Sequence, residues 1–180
     1  MQEIEIKFAL KDRKATESRL LEAGFSLAVE RHVETNYLFD NEPGTLRSLG
    51  RLLRVRHSPS KQTVTYKGPI LATSKLKQRE EIECQVEDAE TMIRIFEGVG
   101  FKVRMQYSKH RTVFERGGLS VSLDETEAGN YLEIEGPSEG EIIRLGAALG
   151  YSEQDFVRRT YADLIGEKRR AGEANGRESS

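Results

Sequence analysis

The feature that most constrains this chain is an alternation of ionisable and apolar residues that returns in strand after strand. Residues 2 to 8 place Ile4, Ile6 and Phe8 on one parity and Glu3, Glu5 and Lys7 on the other, the two-residue period of a β-strand. In RLLRVRH (51–57), Arg54 and Arg56 share a face against Leu53 and Val55. Lys67 stands against Val64 and Tyr66 in QTVTYKG (62–68), and Arg79, Glu81 and Glu83 against Ile82, Cys84 and Val86 in KLKQREEIECQV (75–86). Lys109 and Arg111 align within 101–116, Asp124 opposes Val121 and Leu123, and Glu133 and Glu135 oppose Leu132 and Ile134. With the Val-, Thr-, Tyr- and Phe-rich stretch 26–39, the count is about eight strands.

Between the strands lie helix signals. Asp12 is placed to cap a helix that Gly24 stops, and Asp88 opens a second through Glu97. Ser138 with Glu141 reads as a capping box for a third, and Ser152 as the start of a fourth through Leu164. Gly117-Gly118 marks a two-residue hairpin. At 180 residues one domain over 1–165 is expected, followed by a polar, Gly-rich tail, 166–180, expected to be disordered.

Charge and cysteine content exclude several classes. Lys plus Arg total 28 and Asp plus Glu 30, a net charge of -2, which argues against a general nucleic-acid binder. One cysteine excludes a disulfide framework, and no apolar stretch approaches a membrane span. The start, MQEIEIKF, lacks the pattern of a signal peptide. A cytoplasmic protein with no nucleic-acid or membrane partner is expected, as a monomer or a homodimer.

The plainer arrangement for such strands is an open sheet with its charged face in water and helices over its apolar face. Consecutive Arg, Lys, Glu and Asp of both signs at the centres of several strands favour closure into a barrel with the charges inside. Buried unpaired ions cost several kcal/mol each, so that interior calls for a multiply charged ligand. The basic members suit phosphate oxygens. The acidic members offer hard oxygen ligands to Mg2+ or Mn2+, which bridge carboxylates to substrate phosphates.

These residues together resemble the CYTH family of triphosphate tunnel metalloenzymes, which includes class IV adenylyl cyclases and thiamine and inorganic triphosphatases. Glu3-Ile4-Glu5-Ile6-Lys7 matches the family's Glu-x-Glu-x-Lys signature. In family order follow Arg54-x-Arg56, Lys67, Arg79-x-Glu81-x-Glu83, Lys109-x-Arg111, Asp124 and Glu133-x-Glu135. Arg159-Thr160-Tyr161-Ala162-Asp163-Leu164 looks like the family's C-terminal helix motif, and Asn36 departs from it where many relatives carry an acid. The resemblance implies an α+β fold, an eight-stranded antiparallel β-barrel with a charged interior and helices packed outside, that binds a small-molecule triphosphate and Mg2+ or Mn2+. It implies Glu3, Glu5, Asp124, Glu133 and Glu135 as the metal set. Lys7, Arg54, Arg56, Lys67, Arg79, Lys109 and Arg111 would bind substrate, with Arg79, Glu81 and Glu83 open to more than one role. Glu5, Glu135 and Lys7 would carry the chemistry.

Phosphoryl transfer needs positioning and charge stabilisation more than a covalent nucleophile. The expected reaction is hydrolysis by water oriented by a carboxylate such as Glu135 or Glu5, because cyclisation of ATP by an adenylyl cyclase also needs water excluded and a nucleoside placed. Cyclase is the alternative, and a non-catalytic polyphosphate or nucleotide sensor a second. His32, His57 and His110 read as surface or rim, Cys84 as a buried core thiol, and Tyr161 as a packing residue.

Overall fold

The computed structural model describes residues 2–72 and 74–177. Eight strands form it: β1 (Gln2–Ala9), β2 (Ser26–Asp40), β3 (Leu52–His57), β4 (Gln62–Lys67), β5 (Lys77–Gln85), β6 (Lys102–Arg116), β7 (Leu119–Thr126) and β8 (Gly129–Glu135). They close into a barrel in the order β1-β5-β4-β3-β2-β6-β7-β8, with every neighbouring pair antiparallel. This is the α+β barrel expected. Gly117 and Gly118 both have positive φ, 55° and 82°, which the tight β6–β7 turn requires of both central residues.

Helices α1 (Arg13–Glu22), α3 (Ala89–Gly98), α4 (Glu139–Ala148) and α5 (Tyr161–Arg177), with the single turn α2 (Thr45–Ser48), surround the barrel. Asp12 accepts a hydrogen bond from the Ala15 amide, and Asp88 accepts from those of Glu90 and Thr91. Ser138 accepts from the Glu141 amide, but its hydroxyl donates to the Glu141 carboxylate rather than completing the box. The reciprocal box forms at Ser152 and Asp155. The main core lies between the outer barrel face and α1 and α4, where Ile6, Phe8, Leu20, Phe25, Leu123, Leu132, Ile134, Ile142 and Leu145 are buried. A second cluster sets α3 against Phe39 and Val55.

Three expectations need correction. Cys84 is exposed and Ile82 is 56% exposed, because α3 covers β3, β4 and β6 and leaves this outer stretch of β5 bare. The helix expected over 152–164 is instead a 3-10 turn, Glu153–Asp155, then an extended stretch whose Phe156 bridges to Phe8, and only then α5. That helix runs through Arg177, across residues expected to be disordered. Its Ala, Glu, Lys and Arg content favours a helix, and Arg169 Nη2 donates to Glu127 Oε1 at 2.5 Å. Residues 178–180 of that expected tail lie outside the described residues.

Candidate active site in the barrel lumen

Because side chains alternate across a strand, barrel closure sends one parity of every strand inward. A cavity of about 410 Å3 results, within the usual range for a small-molecule site. Glu3, Glu5, Lys7, Arg54, Arg56, Lys67, Arg79, Lys109, Arg111, Glu133 and Glu135 all line it, together with Glu81 and Glu83. Asp124 stands just behind the lining and is fully buried. Eight basic side chains reach the lumen once Lys77 is included, against six acidic ones. Asp124 and the buried Glu34 balance the count.

Register pairs opposite charges across the wall. Glu3 faces Arg79, Lys7 faces Glu133, Lys67 faces Glu81 and Arg111 faces Asp124. Glu5 faces Lys77 on one side but Glu135 on the other, and like charges directly opposite destabilise a sheet.

Two regions follow. In the basic region Asp124 accepts from Lys109 Nζ at 2.9 Å, from Arg111 Nε at 2.7 Å and from the Tyr161 hydroxyl at 2.6 Å. Arg111 Nη2 also donates to Glu133 at 2.6 Å, and Lys7 Nζ lies 3.4 Å from the other Glu133 oxygen. Burial raises the pKa of both acids, but Arg111 and Lys109 hold Asp124 below its ordinary value. Lys7, Lys109 and Arg111 hold Glu133 well below its own. Burial and the neighbouring Arg111 push Lys109 down to about 8, with Asp124 and Glu34 opposing.

In the acidic region Glu3 pairs with Lys67, and with Arg79 Nε at 3.1 Å. Glu5 has Lys77 at 3.5 Å. Glu135 lines the lumen and is exposed there; partial desolvation, then Glu3, Glu5 and Glu81, push its carboxyl up to about 7. Among the described residues no three such side chains stand close enough to form a ready-made metal cage. The donor chemistry nonetheless fits a hard divalent cation, since Glu3, Glu5 and Glu135 supply the carboxylate oxygens such ions prefer where mutual repulsion is largest. Asp124 is already committed to two cations and a tyrosine hydroxyl, Glu133 to Lys7 and Arg111, and Glu3 to Lys67 and Arg79, which leaves Glu5 and Glu135 the most available carboxylates.

Two contributors, Lys77 and Glu34, escaped the sequence reading, and two that it named without a site role, Asn36 and Tyr161, also belong here. Lys77 lines the lumen one register step from Arg79, and its strand parity was signal enough to find it. Glu34 lies on the long β2, in a stretch from His32 to Leu38 that pairs with β6 without a register shift, so its shared parity with Asn36 was also signal enough to find it. Asn36 is fully buried and accepts from Arg56 Nε at 3.1 Å. Tyr161, at the start of α5, lines the cavity, with Lys7 Nζ 3.8 Å and Lys109 Nζ 4.7 Å from its ring centroid. Burial, then Glu133 and Asp124, raise the Tyr161 pKa well above its ordinary value, so it stays a neutral donor to Asp124.

Comparison with known proteins places this geometry. The profile of the CYTH domain matches residues 1–161. A protein of Methanocaldococcus jannaschii named "Putative adenylate cyclase" is 31% identical over 176 residues, 92% of this chain and 99% of that one. A similarly named Vibrio parahaemolyticus structure, 20% identical, superposes with a TM-score of 0.83 over 91% of this chain and 97% of its own. A Hippeastrum structure, 22% identical with a TM-score of 0.65 over 91% and 93%, is of an adenylyl cyclase candidate described as revealing a dominant triphosphatase activity.

Proposed function

The chain belongs to the CYTH domain family, and from that premise we propose that it is a divalent-metal-dependent enzyme that hydrolyses a triphosphate held inside its barrel. The observation that carries the reading is the division of one lumen into a cationic region and a carboxylate region centred on the opposed Glu5 and Glu135. A polyanion drawn to the first needs counter-charge near the second, because the wall itself is balanced.

In this reading Arg54, Arg56, Lys67, Arg79, Lys109 and Arg111 bind phosphate oxygens and stabilise charge that builds on them as a phosphoanhydride bond breaks. Lys7, held under the Tyr161 ring, donates to a phosphoryl oxygen. Glu3, Glu5 and Glu135 would hold Mg2+ or Mn2+, which when bound neutralises phosphate charge and polarises the phosphoryl group. Glu5 and Glu135 also orient the attacking water. Asp124 and Glu133 act from behind, fixing Lys109, Arg111 and Lys7.

Cyclisation of ATP is the second reading, favoured by the name of the Methanocaldococcus jannaschii relative. Hydrolysis stands first because it asks of the chain only the lumen and water. The test is a pair of variants assayed with inorganic triphosphate and Mg2+ or Mn2+. Arg56→Ala is expected to weaken triphosphate binding by roughly 10- to 100-fold, the value of one or two charge-assisted hydrogen bonds. Glu135→Gln is expected to abolish metal-dependent turnover. Full activity in both would contradict the assignment.

A further inference from the structure

Behind the lumen cations, β2 supplies a carboxylate that does not itself line the cavity. Glu34 is 5% exposed. Its Oε1 lies 3.3 Å from Arg56 Nη1 and 3.5 Å from His32 Nε2, and its Oε2 lies 3.6 Å from Lys109 Nζ and 3.9 Å from Arg111 Nε. Although two cations flank Oε2, no hydrogen-bond donor of the protein reaches it. A buried acceptor left this way is costly, so the position is not optimised for stability alone. What it provides is one negative charge shared among three cations. Two residues along the same face, Asn36 is neutral, and its Nδ2 is likewise buried without a partner.

We propose that Glu34 is a positioning residue that keeps Arg56, Lys109 and Arg111 in place against their mutual repulsion and tempers their grip on phosphate, so that an anionic product can leave. The proposal rests on the triphosphate reading above. Without the Glu34 charge, Asp124 still pairs with Lys109 and Arg111, but Arg56 keeps only the neutral Asn36, and the three cations together present one more uncompensated charge to a bound phosphate. A unit charge a few ångströms away changes that attraction substantially even at an effective dielectric of about 20.

The test is calorimetric titration of wild type, Glu34→Gln and Asn36→Asp with tripolyphosphate and with pyrophosphate in Mg2+, alongside steady-state kinetics and a thermal melt. Glu34→Gln is expected to bind pyrophosphate at least ~10-fold tighter, with KM and kcat both lowered. Asn36→Asp adds a charge to the same row and is expected to bind more weakly by a comparable factor. A merely structural Glu34 would raise KM as the site loosens. Unchanged or weaker binding by Glu34→Gln overturns the proposal. Should that variant melt below the assay temperature, Asn36→Asp decides alone, and unchanged or tighter binding there overturns it. Wild-type protein that binds neither anion removes the triphosphate reading, and the proposal with it.

Discussion

Each ionisable side chain in the lumen takes its character from what faces it across the wall. Desolvation, then Glu3 and the facing Glu5, push Glu135 up to about 7, whereas burial and Arg111 bring Lys109 down to about 8. The signs fix a pH profile. Below about 7 Glu135 is protonated and offers no charge to a cation, and above about 8 Lys109 loses the charge it offers phosphate. The account predicts a narrow bell in kcat/KM, the quantity that reports free-enzyme pKa values. Lys109→Arg should carry the descending limb to higher pH, because arginine stays charged; a limb that does not move would detach it from Lys109. Residues on short, regular strands were legible from parity alone, as Arg54, Arg56, Glu133 and Glu135 show. Parity failed where it had to report coverage, as at the exposed Cys84, because which outer face a helix covers is set by tertiary packing.

Among the elements, the barrel and its outer helices meet at β1. Phe8 is 1% exposed, with the Tyr151 ring centroid 4.6 Å and the Phe156 centroid 5.5 Å from its own. A Cβ added at Gly146 of α4 would meet Phe8 at 3.1 Å, so the glycine is what lets the helix approach. The same strand carries Lys7 one residue earlier, and the Val157 amide donates to the Lys7 carbonyl at 2.8 Å. This seam therefore docks α4 and the stretch that leads Tyr161 into the lumen. Phe8→Ala should cost about 3–5 kcal/mol of stability, measured by urea unfolding; a loss under about 1 kcal/mol would show that the seam is not what holds these elements. Capped helices and the Gly117-Gly118 hairpin were visible in sequence because caps and turns are local chemistry. The extended stretch before α5 was not, since its conformation is set by bridging Phe156 to a strand about 150 residues away.

For the whole molecule, the decisive fact is closure. A two-residue period is equally compatible with an open charged sheet and with a barrel, and only the combined order of charged motifs pointed to the latter. Closure converts a solvated face into a lumen with eight basic and eight acidic groups on or just behind its wall. On the proposed reading, such a balanced interior would take a polyphosphate together with compensating cations. Among the described residues no helix is long and apolar enough to cross a membrane. The most direct measurement is a product-resolved assay of the purified protein with inorganic triphosphate, thiamine triphosphate and ATP, each with Mg2+, Mn2+ or chelator. The account predicts orthophosphate release that requires the metal and stops with chelator. Cyclic AMP and pyrophosphate from ATP would contradict hydrolysis in favour of cyclisation, and triphosphate bound but recovered unchanged with every metal would contradict catalysis itself.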